Sequence, residues 1–262
     1  MTSIKRIESF DDTLIKELPL NTEKLYLYGN QISSFGHSDN LPRNLKKLHI
    51  GDNQISSFKH SEKLPVGLEK INLWGNKIKS FKGCEKLPRN LEILNLRGNK
   101  ISSFKGCEKL PKTLKRLNLR GNKIKSFEHS DNLPRNLEML TLWCNQISSL
   151  KGCENLPRNL EILDLIDNQI SSFKGCENLP KTLKNLYIEW NQSWSKEQLL
   201  RYTKFEFRTT LEYIKFLQRH QDFKYILNEI KYNPHLERMK IELEEDERKL
   251  KEDPETFYEL II

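Results

Sequence analysis

Cysteine and histidine, the side chains best suited to nucleophilic or metal chemistry, recur in this chain at a fixed spacing. Three of the six histidines precede a serine, at His37, His60 and His129. Four of the five cysteines follow a glycine in the equivalent place, at Cys84, Cys107, Cys153 and Cys176. A catalytic thiol needs a base beside it, and zinc needs convergent ligands. Because serine occupies the cysteine position in other units, we expect that position to hold a small buried spacer. We expect the histidines to lie in surface turns.

Other catalytic patterns are missing from the sequence. It contains no glycine-rich phosphate loop, no nucleophile elbow and no paired carboxylates. The fifth cysteine, Cys144, stands apart from the others, and we expect it to be exposed. We therefore predict that the protein is not an enzyme and has no cofactor, metal site or catalytic residue.

The spacing of these residues belongs to a repeat of the whole chain. The dipeptide Leu-Pro occurs eight times at intervals of 23 residues, at Leu18, Leu41, Leu64, Leu87, Leu110, Leu133, Leu156 and Leu179. A fixed period of this length is typical of a solenoid, in which each unit forms one rung and buries its apolar face only against its neighbours. We number each unit from its Leu as position 1.

Each unit predicts one short strand followed by a sharp turn. Positions 8 and 10 are always Leu or Ile, as at Leu94 and Leu96, and residues two apart share one face of a strand. Positions 7, 9 and 11 should then point outward. Position 13 is always Asn, whose amide can satisfy the backbone groups of the turn. Ile at position 15 and Phe at position 18 predict a second apolar stack.

These features resemble the leucine-rich-repeat family, whose LxxLxLxxNxI core is matched by the segment from Leu91 to Ile101. The resemblance covers roughly residues 18–193 and implies an α/β fold, a curved parallel sheet of eight rungs in a right-handed solenoid. The Leu-Pro opening is similar to the repeats of bacterial secreted effectors that carry a ubiquitin ligase with a catalytic cysteine. Here the last cysteine, Cys176, lies inside the repeats, so that activity is not implied.

The segments that flank the repeats are expected to be caps. Residues 1–17 should form an N-terminal cap, since Ile7–Phe10 imitates the Ile-Ser-Ser-Phe of the repeats. Residues 18–193 form the solenoid. In residues 194–262, apolar residues such as Leu211, Ile214 and Leu217 recur at helical spacing. We expect a helical C-terminal cap there, with a separate docking module as the alternative.

Composition limits the compartment and the partners. The formal net charge is +8, which favours acidic partners in general. No stretch approaches the roughly 18 apolar residues of a membrane helix, and we see no signal peptide. An odd number of cysteines fits a reducing compartment. We expect a cytoplasmic monomer, in the host cytoplasm if it is viral or a secreted effector, without a membrane partner.

The exposed strand face is where we expect function, because the fold requires nothing particular at positions 7, 9 and 11. Basic residues and rings gather there, of the kinds that dominate binding hot spots. Drift between duplicated units, with Trp and Arg merely stacking on each other, is the alternative. The candidate partner-binding residues are Lys24, Lys47 and Lys70 at position 7 and Tyr28, Trp74, Arg97, Arg120 and Trp143 at position 11.

The predicted function is a non-catalytic protein–protein interaction module that binds a partner, possibly one with acidic groups, on the concave strand face. Nucleic-acid binding by the same basic and aromatic face is the alternative, because stacking and phosphate contacts are known to combine. Asp164 and Glu189 on that face count against it.

Overall fold

The computed structural model describes residues 2–3, 8–171, 175, 178–188 and 191. The chain divides into two compact units, Met1–Ser193 and Trp194–Ile262. The helices predicted in residues 194–262, and Cys176, lie outside the described residues.

The described strands form one parallel sheet in which each strand pairs with the next along the chain. Successive repeats are in register at a separation of 23 residues, as in the pairing of Leu48 with Ile71. This confirms the predicted parallel solenoid sheet. A short strand ahead of the repeats, which was not predicted, extends its first edge. The strands are β1 (Thr2–Ser3), β2 (Lys24–Tyr26), β3 (Lys47–His49), β4 (Lys70–Asn72), β5 (Ile93–Asn95), β6 (Arg116–Asn118), β7 (Met139–Thr141), β8 (Ile162–Asp164) and β9 (Asn185–Tyr187).

Two apolar stacks fill the space behind the sheet, as predicted. Leu94 and Leu96, at positions 8 and 10, are completely buried, and so are Ile101 and Phe104 on the return side of the same rung. The pattern repeats in the other described rungs. Each stack therefore continues from rung to rung, and removal of one rung would expose the apolar faces of both neighbours.

The Asn at position 13 joins adjacent rungs through one amide group. The Nδ2 of Asn99 donates hydrogen bonds to the carbonyl oxygen of Leu96 in its own rung, at 3.0 Å, and to that of Leu73 in the preceding rung, at 2.9 Å. Its Oδ1 accepts from the backbone N–H of Ile78, also in the preceding rung, at 3.0 Å. Because these groups are buried, the amide replaces the water that they would otherwise bind.

Each described turn back toward the sheet contains a short 3-10 helix preceded by a residue of positive φ. That residue is Gly, or one of His37, His60 and His129, whose φ values are 61°, 68° and 66°. The prediction of surface turns at these histidines is confirmed. The 3-10 helices are Ser38–Asn40, Ser61–Lys63, Cys84–Lys86, Cys107–Lys109, Ser130–Asn132 and Cys153–Asn155.

The cysteines that begin three of these helices are fully buried, which confirms their role as spacers. The Sγ of Cys84 donates to the carbonyl oxygen of Gly106 in the next rung at 3.5 Å. Burial raises the pKa of Cys84 and of Cys107 to about 12, so both thiols stay protonated at neutral pH. These thiols are therefore unsuited to nucleophilic catalysis.

The N-terminal cap imitates a rung with a different turn. Phe10 is buried, and the Nδ2 of Asn40 in the first repeat donates to its carbonyl oxygen at 3.0 Å. A short helix, α1 (Thr13–Lys16), replaces the 3-10 turn. Asp12 caps α1 by accepting from the N–H of Leu14 at 2.9 Å, a typical N-cap contact. Phe10 is thus joined to the first repeat through Asn40, and the role of residues 1–17 as a cap stays a prediction.

The Asn amide should be essential for stability. Replacement of Asn99 by Ala leaves the Ile78 N–H and the Leu73 carbonyl buried without that partner. We expect the free energy of unfolding to fall by about 3 kcal/mol or more in chemical denaturation. The control is Asn90→Ala, because Asn90 is exposed and donates one bond of 3.4 Å, to the carbonyl oxygen of Val66. Equal effects of the two substitutions would contradict the role of the ladder.

Candidate functional site on the strand face

The strand face consists of the outward side chains at positions 7, 9 and 11. Positions 7 and 11 are exposed or half-buried in most described rungs, as expected. Position 9 departs from the prediction in the middle of the sheet, where Asn95, Asn118 and Thr141 are only 3%, 8% and 5% exposed. The side-chain oxygens of Asn95 and Asn118 accept from the backbone N–H of Arg97 and Arg120, at 3.0 and 2.9 Å. These amides therefore serve the backbone, and the accessible groups lie in the rows on either side.

Three lysines lie side by side at position 7 in β2, β3 and β4. Lys24 pairs in register with Lys47, and Lys47 with Lys70. Neighbouring strands lie about 4.8 Å apart, so the three ammonium groups share a small area. Like charges on directly opposite residues repel each other. This lysine row therefore concentrates positive charge at the N-terminal end of the strand face.

An aromatic cluster lies next to the lysine row. The Tyr26 ring stacks on the His49 imidazole with centroids 4.5 Å apart, and it meets the edge of Tyr28 at 6.1 Å. Burial, together with the charges of Lys70, Lys47 and Lys24, lowers the pKa of His49 to about 4. His49 is therefore a neutral ring at physiological pH. Tyr26 and His49 were not among the predicted site residues; the signal for them is two consecutive rings at position 9.

Trp74 owes its position to a glycine in the preceding rung. A Cβ atom added at Gly51 would overlap the Nε1 and Cδ1 atoms of the Trp74 indole, so the ring lies directly over the Gly51 backbone. Trp74 is still 39% exposed. Gly51 does not have a positive φ. Glycine therefore matters here because it lacks a side chain and leaves room for the indole, not because its backbone is flexible.

Arg120 and Trp143 form a stacked pair on the next part of the face. The Cζ atom of Arg120 lies 3.5 Å from the centroid of the Trp143 ring, a cation–π arrangement. Stacking of Trp and Arg on each other, which the sequence analysis gave as the alternative to a binding patch, is thus present in this pair. Arg97 lies between this pair and Trp74 in the same row and is half-buried. The predicted residues Trp74, Arg97, Arg120 and Trp143 therefore lie in one continuous row.

The C-terminal half of the strand face has a different character. At position 7, half-buried Ile93, Met139 and Ile162 occupy places equivalent to those of the lysines, with exposed Arg116 among them. Asp164 is half-buried at position 9, and its Oδ1 accepts from the N–H of Ile166 at 3.1 Å. Glu189 lies outside the described residues. At position 7 the strand face thus changes from lysine to mainly apolar residues along the sheet, whereas position 11 carries Arg97, Arg120 and Trp143 beside them.

Family models match the same rungs. The model for "Leucine Rich repeats (2 copies)" matches residues 89–134, and the model for "Leucine Rich repeat" matches residues 42–57. These rungs are leucine-rich repeats. Leucine-rich-repeat proteins are in general protein-interaction modules and typically non-catalytic scaffolds.

Solved structures share the fold of this chain. A leucine-rich-repeat protein of Leptospira interrogans superposes with a TM-score of 0.52 and 27% identity, over 71% of this chain and 62% of that one. An internalin of Listeria monocytogenes gives 0.50 and 22% identity, over 72% and 63%, which concerns the fold alone. The chain therefore spans less than two thirds of either structure. No curated protein matches its sequence.

The described part of the chain lacks two further classes of feature. No helix there combines the length and apolar character needed to cross a membrane. No three His, Cys, Asp or Glu side chains there are grouped so that they could hold a metal ion. Cys144, at position 12, is exposed as expected. Partial burial of its thiol and the nearby charge of Asp167 raise the pKa of Cys144.

The neutral state of His49 predicts a dependence of stability on pH. The folded-state pKa of about 4 lies below the usual 6.5, so the unfolded chain binds more protons between these values. The contribution of His49 to stability is complete above about pH 6.5 and is lost as the pH falls toward 4. His49→Asn, which copies Asn72 of the next rung, should flatten the stability curve in this window. NMR titration of His49 with a midpoint near 6.5 would contradict this assignment.

Proposed function

We propose that this chain is a non-catalytic protein-interaction module whose strand face binds an acidic and partly apolar segment of a partner protein. The observation that carries the proposal is the lysine row. In the described part of the chain, neither Lys24 nor Lys47 has a carboxylate within salt-bridge distance. An acidic segment placed along this row would supply negative charges at Lys24 and Lys47.

The neighbouring row at position 6 shows that the fold can compensate such charges. There Lys46 pairs with Glu69 of the next rung at 3.2 Å, and Lys115 pairs with Glu92 at 3.0 Å. Exposed pairs of this kind contribute little stability, but they relieve repulsion between stacked like charges. The strand face lacks this alternation at Lys24 and Lys47, which supports attraction of an external anionic group as the role of the row.

The rings and arginines of position 11 supply the contact area. Trp, Tyr and Arg dominate binding hot spots because they bury much surface with few rotatable bonds. Trp74 keeps 39% of its surface exposed, which is unfavourable unless a partner covers it. Arg120, stacked on Trp143, presents a guanidinium in a fixed orientation that can bind a carboxylate with two hydrogen bonds.

The change of character along the face indicates the order of groups in the partner. Acidic residues fit over the first three rungs, beside Lys24, Lys47 and Lys70. Apolar residues fit over the later rungs, beside Ile93, Met139 and Ile162. A single extended segment that lies across the strands could contact both halves.

Nucleic-acid binding by the same face is the second candidate. The stacked Tyr26 and His49 rings beside the lysine row favour it, since bases stack on such rings while phosphates contact cations. The apolar position-7 residues in the later rungs favour a protein instead. A monomeric protein in the cytoplasm is part of the proposal, and the odd number of cysteines in the chain supports a reducing compartment.

The experiment is selection of binders from a display library of random linear peptides with the full chain as bait. We expect enriched peptides with acidic residues at one end and apolar residues at the other. Trp74→Ala combined with Arg120→Ala should weaken their binding at least tenfold, about 1.4 kcal/mol, without changing the melting temperature. Gly51→Ala should weaken it less, because it displaces the Trp74 ring without removing it.

The matched control is Arg89→Ala combined with Arg135→Ala, two exposed basic residues at position 3 that lie outside the strand face. This double variant should bind the selected peptides as the wild type does. The proposal fails if no acidic peptides are enriched, or if both double variants bind equally. A stacking-dependent, salt-sensitive complex with single-stranded RNA, lost in the Trp74 and Arg120 variant, would instead favour the nucleic-acid candidate.

A further inference from the structure

A second basic surface lies outside the strand face, on the segment that leaves the turn after each Asn. It comprises Lys77, Lys100 and Lys123 at position 14 and Lys79 and Lys125 at position 16. All five are exposed. We call this set the lysine flank. None of its members belongs to positions 7, 9 or 11, so its role is independent of the function proposed above.

The backbone of the lysine flank is a regular hydrogen-bonded strip. The N–H of Lys100 donates to the carbonyl oxygen of Ile78 in the preceding rung at 2.8 Å, and that of Lys123 donates to Ile101 at 2.8 Å. The Ile at position 15 is fully buried in these rungs. Positions 14 and 16 therefore lie on the outer side of the strip, and their side chains form two parallel columns.

The fold does not require lysine at these positions. The other described rungs carry Gln at position 14 and Ser at position 16 in the same backbone setting, without loss of the buried Ile at position 15. The lysines are thus confined to three consecutive rungs. The equivalent uncharged residues are Gln31, Gln54, Gln146 and Gln169 at position 14, and Ser33, Ser56, Ser102, Ser148 and Ser171 at position 16, of which Ser102 lies in the middle rung of the flank.

The charge of the lysine flank is not compensated nearby. Between Asn76 and Cys84, and again between Asn99 and Cys107, the sequence contains no Asp or Glu, and the equivalent segment of the third flank rung contains one acidic residue, Glu128. Within the described residues, no flank lysine forms a salt bridge, whereas Lys63 pairs with Asp39 and Lys86 with Glu62 one rung away. Stacked like charges lower stability, so a cluster that the fold neither needs nor neutralises points to an external polyanion.

We propose that the lysine flank binds the surface of a bilayer that contains anionic lipid. Each Lys or Arg held close to an anionic membrane surface is attracted to it by about 1 kcal/mol. The columns of the flank lie on one sheet-like strip, so a planar surface can approach all five ammonium groups at once. The flank positions carry no ring for base stacking and no Arg fork for base edges, which disfavours nucleic acid.

This inference adds a membrane to the expected partners. The expectation of no membrane partner rests on the lack of a long apolar segment, which concerns spanning helices only. Electrostatic binding at the surface needs no such segment. It is weakened by salt, because the Debye length falls to about 8 Å at physiological ionic strength.

The test is sedimentation of the full chain with vesicles of three parts phosphatidylcholine to one part phosphatidylserine. The flank variant combines Lys77→Gln, Lys100→Gln, Lys123→Gln, Lys79→Ser and Lys125→Ser, which copies residues that other rungs already carry. Each lysine contributes roughly fivefold to membrane partitioning, and we expect a loss of at least tenfold in the variant. If this variant melts early, the three position-14 substitutions alone provide the comparison.

The control removes the same number of charges elsewhere, by changing Arg43, Arg89, Lys112, Arg135 and Arg158 at position 3 to Gln. It should keep most of the vesicle binding. The proposal is overturned if the wild type does not prefer vesicles with phosphatidylserine over phosphatidylcholine alone, or if the two variants lose binding equally. It is also overturned if the flank substitutions abolish binding of duplex RNA or DNA but leave vesicle binding unchanged.

Discussion

The buried amide at position 13 is the interaction on which the rest of the structure depends. Through it, each rung satisfies backbone groups of the preceding rung as well as its own; Asn122, for example, donates to the carbonyl oxygens of Leu119 and Leu96 and accepts from the N–H of Ile101. Apolar stacking attracts rungs to each other but is not directional. The amide adds direction, because it fixes which backbone groups of two rungs must face each other. The constant separation of 23 residues between equivalent positions keeps these groups opposite each other in successive rungs.

Because the buried positions of each rung determine the fold, the exposed positions can vary in sequence. Position 13 is Asn in every rung and position 8 is always Leu or Ile, whereas position 7 changes from Lys24 to Ile162 and position 14 changes between Gln and Lys. Substitutions at the outer positions alter charge and contact area with little effect on stacking. Two surfaces with different chemistry, the strand face and the lysine flank, can therefore coexist on one solenoid.

The sequence alone predicts the parts of this structure that repeat. Register, buried stacks and turn histidines follow from period and residue type, because every rung solves the same packing problem. Features that depend on a difference between neighbouring rungs were not predicted. Trp74 lies over Gly51 because one rung lacks a side chain where the next has a large one, and the low pKa of His49 needs the burial of its ring and three lysines from three rungs. Strand β1 was also missed, because it lies ahead of the repeat.

Amide hydrogen exchange, read residue by residue by NMR, tests the central claim most directly. The N–H groups of Ile78 and Ile101 are bonded to the side chains of Asn99 and Asn122, not to a backbone carbonyl. We expect these amides to exchange as slowly as those of Leu73 and Leu96, which follow β4 and β5 and donate to backbone carbonyls of the next rung. Opening either kind of bond requires separation of two rungs. Exchange of Ile78 and Ile101 as fast as that of exposed turn amides would contradict it.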